Sequence, residues 1–278
     1  MSDRWRTISG SVLKMIKQTT GKNRMSPRVL VVDTVKYITP NMIRITFAGP
    51  ALEGIAMDCA GANCKLLLPE DGQTLEAFKE QMISGPKPVT RTYTVRSMRS
   101  DPLEMDIDFV AHGENGPASK WAMNAKPGSF CGFAGPGKAK LTEFYADWYL
   151  IAADMSALPV ACATLEAMPR DAEGIAIFEV LSVEDKQSIK APNGIEIHWL
   201  VSPDPLVHSK KQLDFVQNLD WPPGVVQTCV AGESGVIREL RNFLNNDMMI
   251  ERKHTYISGY WKIGLVEDEH QVYKRSDA

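Results

Sequence analysis

LEMDIDF, at residues 103–109, alternates apolar and acidic residues without a break. That period of two predicts a β-strand with one face in a core and the other face in water. Short runs rich in strand-forming residues lie on both sides of it, at residues 28–36, 42–47, 64–68 and 91–96, and glycine- or proline-containing turns separate them. Short strands that are separated by such turns predict an antiparallel β-barrel or sandwich in the first half of the chain.

The second half of the chain predicts a different architecture. Its apolar runs are continuous rather than alternating, and predicted helices at residues 157–168 and 236–244 are interleaved with them. These runs occupy residues 148–152, 175–181, 195–201 and 225–230. Strands that are apolar on both faces and alternate with helices predict a parallel sheet that is covered on both sides.

We therefore predict a chain with three parts, since 278 residues suit two medium domains. Residues 1–23 form an N-terminal helical segment, and residues 24–146 form the barrel. Residues 147–278 form an α/β domain, which ends in a polar tail compatible with a helix.

The composition argues against several classes of protein. A net charge of −3 disfavours a nucleic-acid-binding protein, which usually carries a basic excess. The five cysteines include no CxxC pair, which favours buried thiols in a reducing compartment over disulfides or an iron–sulfur cluster. The sequence contains no signal-peptide core and no apolar run long enough to span a bilayer. We expect a cytoplasmic protein that binds neither nucleic acid nor membrane, and we expect it to be a monomer.

RTYTVR, at residues 91–96, is the first candidate for a ligand-binding strand. Strand alternation places Arg91 and Tyr93 on one face and Thr94 on the other. A flavin site requires an aromatic ring beside the isoalloxazine, a hydroxyl or amide near the ring nitrogens, and a cation for the pyrophosphate. This segment supplies all three, but strands with arginine and tyrosine are common, so a second motif is needed.

DFVAHGENGPASKWA, at residues 108–122, is that second motif. A strand ends near His112, a glycine-rich turn follows, and Ser119 lies near the start of a predicted helix at residues 118–124. Glycines let backbone amides approach an anion closely, and a helix N-terminus carries about half a positive charge. The segment therefore predicts a pyrophosphate cradle; a turn with an ordinary helix cap is the alternative.

Three further segments complete a recognisable set, namely ADMSALP at 153–159, AGE at 231–233 and SGYWKIG at 258–264. Together with the first two motifs they resemble the siderophore-interacting protein family, a branch of the ferredoxin-reductase-like flavoenzymes. The resemblance implies an FAD-binding barrel followed by a nicotinamide-type α/β domain. It also implies FAD-dependent reduction of a ferric siderophore, which releases iron(II). FAD itself transfers the electrons, so no catalytic side chain is expected.

The resemblance further implies roles for individual residues. Arg91 would contact an FAD phosphate, Tyr93 would pack on the flavin, and Thr94 would hydrogen-bond near its N5 atom. The remaining cofactor contacts would be Asp108 and His112 beside the flavin, and Gly116, Pro117, Ala118 and Ser119 around the pyrophosphate. For His112 an ordinary residue at a strand end is the alternative.

In the α/β domain, Asp154, Ser156 and Glu233 are expected around a nicotinamide, with ordinary loop chemistry as the alternative. No GxGxxG fingerprint follows the first strand of this domain, which favours a transiently docked dinucleotide over a tightly held one. The sequence does not distinguish NADH from NADPH. A ferredoxin is the alternative electron donor.

The electron acceptor implied by the resemblance is often anionic, and a basic rim would help to capture it. Lys65 and Lys262 match basic positions of the family. The family usually has arginine directly after a Gly-Pro pair, whereas Gly137 stands here, which leaves either Lys138 or Lys140 for that role. Two other functions stay open: a flavin reductase that serves a ferredoxin or flavodoxin, and a siderophore-binding protein without turnover.

Overall fold

The computed structural model describes residues 28–113, 116–265 and 269. The predicted N-terminal helical segment lies outside these residues, as does nearly all of the C-terminal tail. The described chain forms a closed antiparallel barrel followed by a parallel five-stranded sheet with helices, which confirms the predicted fold class. No helix among the described residues is long and apolar enough to cross a membrane.

Six strands close the barrel, in the spatial order β1-β2-β5-β4-β3-β6. They are β1 (Arg28–Thr39), β2 (Met42–Ala48), β3 (Asn63–Leu68), β4 (Val89–Ser100), β5 (Leu103–Val110) and β6 (Phe130–Ala134). Helix α1 (Leu75–Ser84) joins β3 to β4, and helix α2 (Pro117–Asn124) joins β5 to β6. Neither α1 nor β6 was predicted from the sequence. The five residues of β6 include Gly132, too short a run to stand out as a strand.

The alternation of β5 is confirmed, but its expected contact with water is wrong. Met105, Ile107 and Phe109 are fully buried in the barrel core, as predicted. Asp106 and Asp108, on the opposite face, are only 4% and 6% exposed. Arginines on the neighbouring strands explain the difference, because they form ion pairs that cover both carboxylates. Arg44 on β2 pairs with Asp108 at 2.7 Å, and Arg99 on β4 pairs with Asp106 at 2.5 Å.

The parallel sheet has the order β11-β10-β7-β8-β9. Its strands are β7 (Trp148–Asp154), β8 (Glu173–Val180), β9 (Gly194–Val201), β10 (Val226–Glu233) and β11 (Thr255–Trp261). The helices are α3 (Leu158–Ala167), α4 (Lys211–Gln217) and α5 (Ser234–Asn242). Four strands were predicted. The fifth, β11, is an edge strand that is mostly half-buried, so it lacks the continuous apolar run of the others.

Asp185, after β8, ties the barrel to the parallel sheet. Its side chain is 0% exposed and accepts hydrogen bonds from the Thr39 hydroxyl at 2.8 Å and from the Asn41 side-chain amide at 2.8 Å. The Asn41 backbone N–H and the Ser182 hydroxyl also donate to it, at 3.0 and 3.1 Å. Because both partners on the barrel lie at the β1–β2 turn, one carboxylate fixes the orientation of that turn against the sheet.

A second set of contacts joins β4 to α3. Arg96 forms a bidentate ion pair with Glu166, with N–O distances of 2.6 and 2.9 Å. Nearby, Gly61 has a φ of +78°, and a Cβ atom there would lie 3.3 Å from the Cβ of Ala163. The barrel and α3 are therefore in close contact.

All five cysteines are free and buried. Burial raises the pKa of the Cys59 thiol to about 11 and that of the Cys162 and Cys229 thiols to about 12. Burial also raises the pKa of Cys64 and Cys131. The thiols are therefore protonated at neutral pH.

Candidate functional site

The two ligand-binding motifs meet through aromatic side chains. The rings of Tyr93 on β4 and Phe109 on β5 have centroids 4.4 Å apart, and Phe109 lies 5.7 Å from Trp121 on α2. One row of packed rings thus extends from the RTYTVR strand to the helix that follows the glycine turn. The structure brings the two predicted stretches together on one side of the barrel.

The faces of β4 match the predicted alternation. Val95 is fully buried in the barrel core, and Tyr93 packs partly against that core. Thr94 points the other way, towards the parallel sheet, where its hydroxyl hydrogen-bonds with Tyr260 of β11. The Tyr260 hydroxyl in turn lies 3.1 Å from that of Tyr256. A short chain of hydroxyl groups therefore connects the strand predicted to bind the flavin with β11 of the parallel sheet.

Of the predicted anion site, the structure describes the start of α2, whereas residues 114 and 115 of the turn lie outside the described residues. Gly116 is the N-cap residue and Pro117 the first helical residue. The Ser119 hydroxyl accepts a hydrogen bond from the backbone N–H of His112 at 3.2 Å, and Ala118 packs into the barrel core. Both side chains therefore hold the turn in place. The first N–H groups of a helix have no acceptor within the helix, which agrees with an anion at the start of α2, but the phosphate contact stays a prediction.

Gly116 lies directly against the ring of His112. A Cβ atom at this position would lie 2.7 Å from Cε1 of the His112 ring. The ring and the helix start therefore touch, and only glycine lets them do so without displacement. The imidazole thus occupies the space in front of Gly116, and the cradle for FAD stays a prediction.

Arg91 and Asp108 differ in how far the structure supports their predicted contacts. Arg91 is half-buried on β4, and its Nη1 donates to the carbonyl of Thr90 at 2.9 Å. Both carboxylate oxygens of Asp108 instead accept hydrogen bonds from Arg44, and the Asp108 side chain is only 3% exposed. This ion pair joins β2 to β5, so Asp108 stabilises the pairing of these two barrel strands. Its expected cofactor contact stays a prediction.

Asp154 and Ser156 form the first turn of the α/β domain. One oxygen of Asp154 accepts from the Ser156 N–H at 2.9 Å and its hydroxyl at 2.6 Å, and also from the Ala157 N–H. The other oxygen accepts from the Trp261 indole at 2.7 Å. Burial raises the pKa of Asp154, although these hydrogen bonds oppose the shift. A Cβ at Gly232 would lie 2.8 Å from this carboxylate, so β7 and β10 approach closely at the point where the strand order reverses.

Glu233 is buried at the end of β10 and caps α5. One of its oxygens accepts from the Val236 N–H at 2.9 Å, and the other accepts from the Ile263 N–H at 3.2 Å. It therefore connects the AGE segment to the SGYWKIG segment. Its predicted proximity to a nicotinamide stays a prediction.

Lys65 lies on β3 of the barrel, and Lys140 follows β6. The Lys65 ammonium donates to the hydroxyl of Thr92, which is its register partner on β4. The Lys140 ammonium donates to Oδ1 of Asn63 at 3.0 Å, and it lies 5.9 Å from the centroid of the Tyr256 ring. Asn63 is the register partner of Thr94. Both cations are therefore beside the strand that carries the predicted flavin contacts.

Lys138 is exposed, and Lys262 is half-buried directly after β11. The structure also explains the glycine at position 137, because a Cβ there would lie 2.5 Å from Oδ1 of Asn63. Because the Asn63 side chain, which accepts the hydrogen bond from Lys140, lies against position 137, there is no space for the arginine expected there. Asn63, Tyr256 and Tyr260 are absent from the predicted site, although Tyr260 lies within the SGYWKIG motif.

Comparisons with known proteins agree with this arrangement. Residues 31–140 match the family model of the siderophore-interacting FAD-binding domain, and residues 146–264 match that of the siderophore-interacting protein. Ferric vibriobactin reductase ViuB of Vibrio cholerae is 36% identical over 254 residues, which are 89% of this chain and 93% of that protein. The NADPH-dependent ferric-chelate reductase of Escherichia coli is 28% identical, over 79% of this chain and 87% of that protein.

A solved structure shows the same fold. The siderophore-interacting protein SipS from Aeromonas hydrophila superimposes with a TM-score of 0.77 at 30% sequence identity. The match covers 91% of this chain and 99% of that one. With its matching family models, relatives and architecture, the chain belongs to the siderophore-interacting protein family, and its barrel is an FAD-binding domain.

Proposed function

We propose that this protein is an FAD-dependent reductase that takes electrons from NADH or NADPH and reduces a ferric siderophore, which releases iron(II). One observation supports this best. Strand β4, which carries the predicted flavin contacts, pairs with β3, which carries Lys65 and also Asn63, the hydrogen-bond partner of Lys140. The flavin and an anionic acceptor would therefore share one cleft. The names of the relatives from Vibrio cholerae and Escherichia coli agree with this chemistry.

The residues around the turn fit FAD. Arg91 and the N-terminus of α2 would bind the pyrophosphate, Tyr93 would pack against the ring system, and Thr94 would contact the ring edge. When bound, FAD accepts two electrons and releases them singly. The protein's part is to hold the cofactor, to orient the Thr94 hydroxyl through Tyr260 and to keep the cleft open for an acceptor.

The acceptor's own chemistry accounts for the cations. Iron(III) is a hard ion that oxygen ligands such as hydroxamates and catecholates bind tightly, and iron(II) is bound far less well. One electron therefore loosens the chelate, and the protein needs only to bring the complex near the flavin. Lys65, Lys140 and Lys262 would attract the net negative charge of such a chelate.

Lys140 rather than Lys138 is expected to contribute to acceptor binding. Lys140→Ala should raise KM for an anionic ferric siderophore about tenfold, because a partly buried charged hydrogen bond is lost. Lys262→Ala should act in the same direction. Lys138→Ala, the matched control on the same segment, should change KM less than about twofold. Flavin content, read from the absorbance ratio of flavin to protein, should stay constant in all three. An unchanged KM in the Lys140 variant would remove that residue from the site.

The function itself has a direct test. Purified protein should be yellow, should bleach anaerobically with its electron donor, and should recolour when a ferric siderophore is added while a chelator traps iron(II). Comparing NADH, NADPH and reduced ferredoxin in separate stopped-flow traces identifies the donor. Protein that binds a siderophore but holds no flavin would contradict the proposal and would favour a binding protein without turnover.

A further inference from the structure

Strand β9 is an edge of the parallel sheet. Within the described part of the chain it pairs with β8 alone, because the strand order of the sheet ends at β9. An edge strand has a row of backbone N–H and C=O groups that face away from its neighbour and can pair with another chain. Eight residues form β9, Gly194–Val201, and no proline interrupts them. Its outer side is therefore long enough to pair with a further strand.

The connections before and after β9 lead away from this edge. Asp185, in the connection from β8, accepts hydrogen bonds from the β1–β2 turn of the barrel. His208, in the loop after β9, lies 3.1 Å from the carboxylate of Glu239 on α5. Helix α5 packs against β10 and β11, which are in the other half of the sheet. Both anchoring contacts therefore direct these connections away from the outer side of β9.

The register with β8 shows which backbone groups of β9 face outwards. The Ser202 N–H donates to the carbonyl of Val180 on β8 at 2.8 Å. Because successive residues of a strand direct their backbone groups to alternate sides, the even-numbered residues of β9 face β8. The groups that face outwards therefore belong to the odd-numbered residues, namely Ile195, Ile197, Trp199 and Val201.

Two of these outward groups already have partners, at the two ends of the strand. The Ile195 N–H donates to the carbonyl of Pro192 at 3.1 Å, and the Val201 carbonyl accepts from the ammonium of Lys211. Between these ends, the outward groups of the strand form no hydrogen bond with any described residue. The middle of β9, at positions 197 and 199, is therefore the part that is available for pairing.

We propose that β9 pairs antiparallel with β9 of a second copy of this chain, with Ile197 opposite the partner's Ile197, so that two sheets join into one. A two-fold axis is the commonest symmetry of protein oligomers, and it brings the same surface of both copies together. In this register the two Ile197 residues exchange both outward hydrogen bonds. Each Trp199 N–H donates to the partner's Ile195 carbonyl, which also faces outwards.

The charged side chains favour this register over its neighbours. It places Glu196 opposite the partner's His198 on both sides of the axis. Within one strand these two side chains are 2.9 Å apart, and they are 70% and 30% exposed, so both can reach across. An axis through Glu196 would instead place two glutamates directly opposite each other, which is destabilising. An axis through His198 would place the two imidazoles opposite each other and leave each glutamate opposite the partner's Leu200.

The apolar face of β9 is also complementary to itself. In the same register Ile195 lies opposite the partner's Trp199, and aromatic residues opposite β-branched residues form favourable cross-strand pairs. Ile197 and Trp199 are only half-buried by the core of their own domain, so pairing covers the rest of their surface. One strand from each copy is a small interface, and we expect a dissociation constant of about 10–100 µM. The monomer expected from the sequence is then the dilute form.

Sedimentation velocity of the purified protein over about 1–300 µM tests the proposal, because this range spans the expected dissociation constant. The sedimentation coefficient should rise with concentration from that of a monomer to that of a dimer. Ile197→Pro should raise the dissociation constant at least about 30-fold, because it removes the hydrogen bonds exchanged at the axis. The N–H that is lost faces outwards, so every bond to β8 remains. Ile197→Val, the matched control, should change the dissociation constant less than about threefold.

A charge exchange tests the register. Glu196→Lys and His198→Glu should each raise the dissociation constant about tenfold, because each removes both cross-strand pairs. Combining the two substitutions should bring it back to within about threefold of the unaltered value, because position 196 of one copy faces position 198 of the other. Glu184→Lys makes the same change of charge at an exposed position outside β9 and should have no effect.

A protein that remains a monomer at every concentration would overturn the inference. A dimer that persists in Ile197→Pro, with circular dichroism showing a folded protein, would place the interface elsewhere and would overturn it too. If Ile197→Pro does not fold, the charge exchange decides, because a combined variant that dimerises no better than the single variants contradicts the register. Flavin content and iron(II) release are measured separately, so none of these outcomes affects the proposed function.

Discussion

Arg91→Ala should raise the dissociation constant of FAD by about 10- to 150-fold, which corresponds to the loss of a charge-assisted hydrogen bond to the pyrophosphate. Arg91 is half-buried on β4, two residues before Tyr93. A guanidinium can bind two phosphate oxygens at once, so Arg91→Lys should recover only part of the affinity. Titrating flavin-free protein with FAD and following flavin fluorescence measures the effect.

Two comparisons isolate the phosphate contact. Riboflavin has no phosphate, so its affinity should be the same in Arg91→Ala and in the unaltered protein. Arg170→Ala removes an exposed arginine after α3 and should leave FAD affinity unchanged. If Arg91→Ala bound FAD as tightly as the unaltered protein does, the predicted role of Arg91 would be wrong.

Asp185→Ala should lower the free energy of unfolding by about 2–5 kcal/mol, because it leaves the donors of Thr39 and Asn41 buried without an acceptor. Urea unfolding followed by circular dichroism measures this loss. Asp185→Asn keeps one acceptor oxygen and should cost less. The exposed neighbour Glu184 provides the control, since Glu184→Ala should change stability by no more than about 0.5 kcal/mol.

The same carboxylate predicts a dependence on pH. Burial opposes the ionisation of Asp185, but the hydrogen bonds from Asn41, Thr39 and Ser182 outweigh it and lower the pKa. A lowered pKa means that the stabilisation is complete above the usual carboxyl pKa of about 4 and is lost as the pH falls through the folded-state value. The stability difference between the unaltered protein and Asp185→Ala should therefore shrink below about pH 4. A constant difference down to pH 2 would contradict this account.

The fold could be predicted from local patterns wherever burial imposed a simple period. The alternation in β5 and the continuous apolar runs in β7, β8 and β10 were sufficient to predict these segments as strands. The edge strand β11 and the five-residue strand β6 were not predicted, because half-buried or very short strands produce no clear hydrophobic pattern. The water-facing side predicted for β5 was wrong because ion pairs with Arg44 and Arg99 form between strands that are distant in sequence.

The candidate site was partly predictable for the same reason. Motifs identified Arg91, Tyr93, Thr94 and the turn at residues 116–119, because a phosphate requires particular backbone and charge chemistry close together in sequence. Asn63 and Tyr256 could not be predicted, since their relevance comes from contacts with Lys140 across the cleft. The domain limits at residues 24–146 and 147–278 stay a prediction.

The five buried thiols have a consequence for the proposed release of iron(II). Ferrous iron reacts with oxygen and peroxide to form oxidants, and the thiolate is the form of cysteine that those oxidants attack. Here every thiol is shielded from solvent and keeps its proton. The chain thus has no exposed thiolate that such oxidants could attack. It also has no exposed sulfur ligand that could retain iron(II). Burial of all five thiols would therefore protect the proposed reductase from intermolecular disulfides.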